Sequence, residues 1–204
     1  MAVEAVGGDI AALVLRVSVG GTLLAHGWNH AFGGGKIEGT AGWFESMGLR
    51  PGRLHALMAT GTELGAGILL ILGLLTPLAA AGAVGTMAVA LITAHLRNGF
   101  FIFRPGQGYE YVLMIIMVAC AAGALGGGAV SLDRALGVDG DLSGWTGLAV
   151  TALAGGIGAA LLLAVFWRPA KEPAGEPAKE PAKESAGESD GASAGEPAGE
   201  GAAE

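Results

Sequence analysis

Charge is scarce in this sequence. Only 14% of its 204 residues are Asp, Glu, Lys or Arg, against roughly a quarter in soluble globular domains. Cysteine occurs once, at Cys120, so no internal disulfide forms and no CxxC dithiol centre exists. No basic stripe runs along any segment, which argues against nucleic-acid binding. The N-terminal MAVEAVGGDI carries Glu4 and Asp9 but no basic residue. It therefore lacks the pattern of a signal peptide, and the first apolar run is expected to be retained as a helix. No hydrolase triad, phosphate loop or dinucleotide fingerprint is present.

Apolar residues and glycine are abundant instead. Hydrophobic residues make up 52% of the chain, with 38 glycines and a mean hydropathy of +0.57. Five runs are predicted to cross a membrane: about Ile10–Trp28, Ala56–Leu75, Leu78–Leu96, Tyr111–Leu125 with a possible extension to Val130, and Leu148–Trp167. At ~1.5 Å per residue such runs match a hydrocarbon core of roughly 30 Å. Helices are expected, because the runs lack the alternation of a barrel strand and lipid leaves no other way to satisfy the backbone. Thr76-Pro77 forces the second and third spans into an antiparallel hairpin, with Pro77 in the first turn of the new helix. Gly61/Gly65 and Gly123/Gly127 have small-xxx-small spacing, which suits close helix packing as well as simple glycine richness. The first loop, Asn29–His55, places Trp43, Phe44, Met47 and Leu49 at near-helical spacing, as in a short interfacial helix. Phe100–Phe103 reads as an aromatic belt.

The net charge of −7 is unevenly spread. From Arg168 onward four basic residues face nine acidic ones, a net −5, and the remainder carries −2. That C-terminal segment repeats EPAG- and EPAK-like units without aromatic or branched apolar residues. It is expected to be a disordered, solvated tail. Lys36, Arg50, Arg53, Arg97, Arg104 and the tail cations fall on one side of the five spans. The positive-inside rule then places loops one and three and the C-terminus in the cytoplasm.

Ionisable residues inside the spans are the candidates for chemistry, since such groups usually face a partner, a cavity or a pathway. Glu63 is the one charge in Ala56–Leu75. Arg16 and Glu63 enter from opposite faces. His26, Glu63, His95 and Glu110 collect toward the face that holds loops one and three. Three readings follow: a polar pocket that binds a quinone headgroup or relays protons, a metal or haem site using His26, His30 and His95, or an internal hydrogen-bond network that fixes the bundle.

The series LVLRVSVGGTLLAHGWNHAFGG (Leu13–Gly34), WFESMGL (Trp43–Leu49), TELGAGILLILGLLTPLAA (Thr62–Ala80), AHLRNGFF (Ala94–Phe101), GYEYVLM (Gly108–Met114) and GGGAVSLDRAL (Gly126–Leu136) resembles the DoxX family of small bacterial membrane proteins. The resemblance implies an all-α, polytopic membrane bundle, with a four-helix core over residues 1–136. It leaves residues 137–167 as an additional fifth transmembrane helix with its preceding loop, and 168–204 as the tail. It implies a multi-pass protein of the cell membrane, a subunit of a thiol/sulfur- or quinone-linked oxidoreductase system. Soluble redox partners of the sulfurtransferase and superoxide dismutase kind, and homo-oligomers, are implied in the same way. A scaffold that anchors such proteins and a proton-coupled small-molecule pathway are the alternatives. The positions carried over are Arg16, His26, Glu63, His95, Glu110 and Asp133. Of these, Glu63, His26 and His95 are the candidate catalytic set, with Arg16 and Glu110 in a quinone pocket. No bound cofactor or metal is expected, and quinone enters as a substrate.

Overall fold

Length and polarity divide the computed structural model of the chain into spanning helices and short connecting ones. Residues 2–140 and 142–169 are described. α1 is Ala2–Phe32, α2 Lys36–Ser46, α3 Gly52–Leu72 and α4 Thr76–Ala90. α4 runs on through a π-turn at Leu91–His95 and a 3-10 turn at Leu96–Asn98. α5 is Glu110–Leu125, α6 Leu132–Leu136 and α7 Gly144–Phe166. The described residues contain no strand, only an isolated bridge between Leu49 and Trp167. The expected tail lies outside the described residues from position 170 onward.

Four stretches, Val6–Phe32, Gly52–Leu72, Thr76–Asn98 and Gly144–Phe166, are long and apolar enough to span a bilayer. The chain is thus a multi-pass membrane protein. α5 has 16 residues, or about 24 Å, and falls short of the roughly 30 Å core. It ends at Leu125, the expected limit, where Gly126 at φ 72° stops it, and does not take the extension to Val130. The following segment turns onto α1, where the Ala129 N–H donates to Asp9 Oδ1 at 2.8 Å.

α1 packs on α3, α3 on α4, and α4 on both α5 and α7. α2 covers the end of the α1–α3 pair. α1, α4 and α7 run one way and α3 and α5 the other, which gives the bundle two distinct ends. The α2 end carries Phe32, α2, the 96–109 loop and residues 167–169. The other, the turn end, carries the α3–α4 turn and the 126–143 segment.

The turn end is held by two buried charged residues. Arg16 has no exposed surface, and its guanidinium donates to the carbonyls of Leu70 (2.9 Å), Ile71 (3.2 Å) and Val130 (2.6 Å). It thereby pairs the last carbonyls of α3, which have no partner within the helix. Asp133, equally buried, accepts from Leu75 N–H at 2.7 Å, Thr76 N–H at 3.0 Å and the Thr76 hydroxyl at 2.7 Å. These bonds hold the first donors of α4 and keep Leu75 at φ +48°, a left-handed conformation that leucine seldom adopts. Gly73, at φ +64°, must be glycine for a second reason, because a Cβ there would strike the Arg16 guanidinium.

Close helix approaches explain several glycines, including Gly123 of one expected pair, where a Cβ would strike Thr151 of α7, but not Gly61 and Gly65. A Cβ on Gly61 or Gly65 would meet nothing within 4 Å. Gly20 and Gly67 instead bring α1 onto α3, where a Cβ on either would come within 2.8–2.9 Å of the other's carbonyl oxygen. The buried residues of α7 are Gly147, Thr151, Gly155 and Ala159, one every four residues. A Cβ at Gly155 would lie 2.7 Å from Ala81 O, and Thr151 donates to Pro77 O at 3.0 Å. The fifth helix is therefore packed into the bundle through a stripe of small residues.

Two stability measurements in detergent check these assignments. Asp133→Ala strands three donors, two of them buried, and is expected to cost about 3 kcal/mol, which lowers the melting temperature by roughly 6–12 °C at this chain length. Gly155→Leu overfills the α4–α7 seam and is expected to cost about 2–3 kcal/mol. Gly65→Ala, in open space, stays within about 0.5 kcal/mol of the parent. Equal melting temperatures for the Gly155 and Gly65 variants would refute the packing assignment.

Candidate ligand cavity with a polar end

A cavity of about 400 Å³ opens between α3 and α7, with α4 as its floor. All four histidines of the chain, His26, His30, His55 and His95, line it together with Glu63 and Tyr111. No lysine or arginine lines it. The volume lies within the roughly 300–1,000 Å³ of small-molecule sites, and a mainly apolar wall with a few converging polar groups is the usual make-up of such sites.

Glu63 sits eleven residues, about 16 Å, into α3 from the α2 end. It is 2% exposed, and its Oε2 has no hydrogen-bond partner. His30 Nε2 lies 3.4 Å from that oxygen, within ion-pair distance. The other ring nitrogen of His30 faces the Thr40 hydroxyl at 3.4 Å. Since that hydroxyl donates to the His30 carbonyl at 3.3 Å, Nδ1–H acts as the donor to it. The Nε2 lone pair is then left toward Glu63. Two groups that each accept can share this contact only by holding one proton between them. The His30 ring is stacked between α1 and α2 against Trp43 and Phe44, with centroids 6.5 and 6.1 Å away.

His30 belongs to the site because α1 does not end near Trp28 but continues to Phe32. Gly27 does not break the helix there. It allows α1 to close on α3, since a Cβ would lie 2.9 Å from Leu64 Cγ and 3.2 Å from Glu63 Cβ. His26 and His30 therefore share one helical face, four residues apart, and His30 is the one that reaches Glu63.

His95 is placed by the π-turn that interrupts α4. Such bulges recur at functional sites because they re-aim one side chain. Its Nδ1 lies 3.0 Å from the Gln107 carbonyl, which only accepts, so Nδ1 carries the proton. Its Nε2 then accepts from the Tyr111 hydroxyl at 2.8 Å. Tyr111 stands edge-on to the ring at 5.1 Å. His55, one turn into α3, is buried with an unpartnered Nε2 and packs edge-on against Phe166 at 5.1 Å.

The sequence-predicted residues separate into two groups. His26, Glu63 and His95 line the cavity. Arg16 and Asp133 lie at the turn end, on the α3–α4 turn, away from the cavity. Glu110 begins α5 at the α2 end but does not line the cavity, and its Oε2 accepts from Ile102 N–H at 3.3 Å. His55 and Tyr111 join the site without having been singled out as site residues in the sequence, and His30, weighed there only as a metal or haem ligand, joins it as the neighbour of Glu63. For His30 the signal was its four-residue spacing from His26. No group of three or more His, Cys, Asp or Glu among the described residues has a metal-holding arrangement.

The DoxX family model matches residues 11–96. No curated protein and no solved structure matches the chain. The matched segment runs from α1 to the π-turn, and so contains His26, His30, His55, Glu63 and His95. Tyr111 and the α7 wall lie beyond it. Residues 11–96 of this multi-pass membrane chain thus match the DoxX family model, and the four histidines and Glu63 within them converge on one cavity.

Proposed function

We propose that this chain is the membrane subunit of a thiol- or sulfur-linked oxidoreductase of the cell membrane and that its cavity receives a quinone headgroup. The observation that carries this reading is the buried, unpartnered Glu63 Oε2 beside His30, in an otherwise apolar cavity. Reducing a quinone to a quinol takes two electrons and two protons. The cavity offers two pairs suited to handling the protons, His30 with Glu63 and His95 with Tyr111. One quinone carbonyl accepts a hydrogen bond from the Tyr111 O–H, which turns to it from His95 Nε2, and the other accepts the proton held by His30 and Glu63. The electrons come from a soluble thiol or sulfur partner docked at the α2 end. Lys36, Arg50 and Arg104 are exposed there, which suits a cytoplasmic face.

The test uses the full chain in phosphatidylcholine nanodiscs, titrated with a tail-less naphthoquinone. Trp43 lines the cavity, so binding quenches tryptophan emission, and Trp43→Phe removes most of the quench. Glu63→Gln weakens binding about tenfold, or ~1.4 kcal/mol. His30→Gln costs about the same, and the double variant costs little more than either, because the two side chains share one proton. Full quenching that survives Glu63→Gln and His30→Gln unchanged would remove the pair from the site.

A further inference from the structure

The cavity changes character along its length. Its α2 end holds His30, His55 and His95, whereas α7 and α4 contribute Ala154, Gly158, Gly82 and Gly85 deeper in the bundle. Gly158 lies eight residues, about 12 Å, before the end of α7, and Gly85 lies deeper still, thirteen residues before Asn98. Ala154 and Gly158 on α7 and Met58 and Thr62 on α3 line the cavity and are exposed on the bundle surface. Both helices are membrane spans, so this exposed edge faces lipid rather than water. The mouth of the cavity is therefore a side slot between α3 and α7, floored by the glycines of α4.

We infer that this slot takes the hydrocarbon chain of a one-chain amphiphile with an uncharged head, which enters from the bilayer between α3 and α7. The inference rests on the quinone reading for the identity of the head and narrows the substrate to chain-bearing quinones. Polarity sets the direction: the head reaches the histidines and the Glu63 carboxylate, which leans toward the α2 end to meet His30, and the chain points toward the bilayer centre. The lining selects against phospholipids, because a phosphate would find no lysine or arginine and would face Glu63. Gly82 and Gly85 line the floor and, without a Cβ, let α3 and α7 close on α4 at its two sides, while Gly158 leaves the gap at the mouth. A Cβ at Gly82 would lie 3.1 Å from Ala66 Cβ, and one at Gly85 would lie 3.3 Å from Gly155 O. A Cβ at Gly158 would meet nothing within 4 Å. A larger side chain there projects into the slot without disturbing the helix contacts.

The experiment uses the full chain in phosphatidylcholine nanodiscs and a naphthoquinone whose decyl chain ends in a diazirine. Illumination is expected to label α3 around Met58–Thr62 and α7 around Ala154–Leu162. Excess unlabelled decyl-naphthoquinone abolishes the label. Gly158→Leu reduces labelling at least fivefold. Gly156→Leu, on the same helix in equally open space and outside the cavity, leaves it unchanged. Quenching of Trp43 by the tail-less naphthoquinone persists in Gly158→Leu, which shows that the variant is folded and the polar end intact. Label confined to α1 or α5, or equal labelling in Gly158→Leu and the parent, would overturn the slot while leaving the quinone reading standing. Competition by decanol as effective as that by the quinone would keep the slot and overturn the reading of the head.

Discussion

The bundle depends on the clamp at the α3–α4 turn. A turn of three residues between two membrane spans leaves the last carbonyls of α3 and the first N–H groups of α4 without helical partners. Lipid offers them nothing, and each unsatisfied group would cost several kcal/mol. Arg16 takes the carbonyls and Asp133 takes the N–H groups. One residue comes from the first helix and the other from the segment after the fifth element, so a local need is met by distant parts of the chain. The same bonds fix the angle between α3 and α4, the wall and the floor of the cavity. Two buried charged residues that look like chemistry in the sequence thus do mechanical work at the end of the molecule opposite the histidines.

The two ends divide the polar residues by what surrounds them. At the turn end the two terminal nitrogens of Arg16 and both oxygens of Asp133 are paired with main chain or Thr76, and Arg16 Nε alone is left buried without a partner. At the α2 end the contacts leave atoms open: Glu63 Oε2 and His55 Nε2 are buried without partners, next to a cavity. A buried polar atom left unpaired is costly. A fold that keeps two of them beside open space holds capacity to bind something that pairs with them. The unpaired atoms that border a cavity, Glu63 Oε2 and His55 Nε2, favour the α2 end as the site, since Arg16 does not line it.

Much of this was legible in the sequence. Apolar run lengths matched four of the five expected spans, the fourth run forming only the shorter α5, Thr76-Pro77 marked the hairpin, and depth along antiparallel helices grouped His26, Glu63 and His95 at one end. Other features were hidden for physical reasons. Gly27 reads as a helix breaker, yet in lipid a glycine permits contact, and only the proximity of Leu64 shows which applies. The Gly61/Gly65 spacing looks like a packing motif but faces open space, while the stripe Gly147-Thr151-Gly155-Ala159 mixes residue types and escapes a search for glycine pairs. Arg16 was misplaced because an ionisable residue in a span suggests a pathway, and sequence does not say that the ends of α3 and α5 arrive beside it. Tyr111 entered the site through the π-turn, which re-aims His95 and carries no sequence signature.

α7 completes the argument about the site. The segment matched by the family ends at residue 96, before Tyr111 and before α7. A cavity built from that segment alone would be closed by α1 and α2 at the polar end and by α3 on one side, and would lie open along α4 on the other. α7 supplies the second wall and closes the cavity except at the slot. Because it does so with glycine and alanine, it can sit against α4 and still leave space beside it. Close packing and an open slot usually compete, since bulky side chains that fill a seam also fill its margins. The small-residue stripe resolves that conflict by letting backbone do the packing: Gly155 presses on Ala81 and Val84, and Gly158, one turn on, leaves the opening. The helix outside the matched segment therefore shapes access to residues inside it.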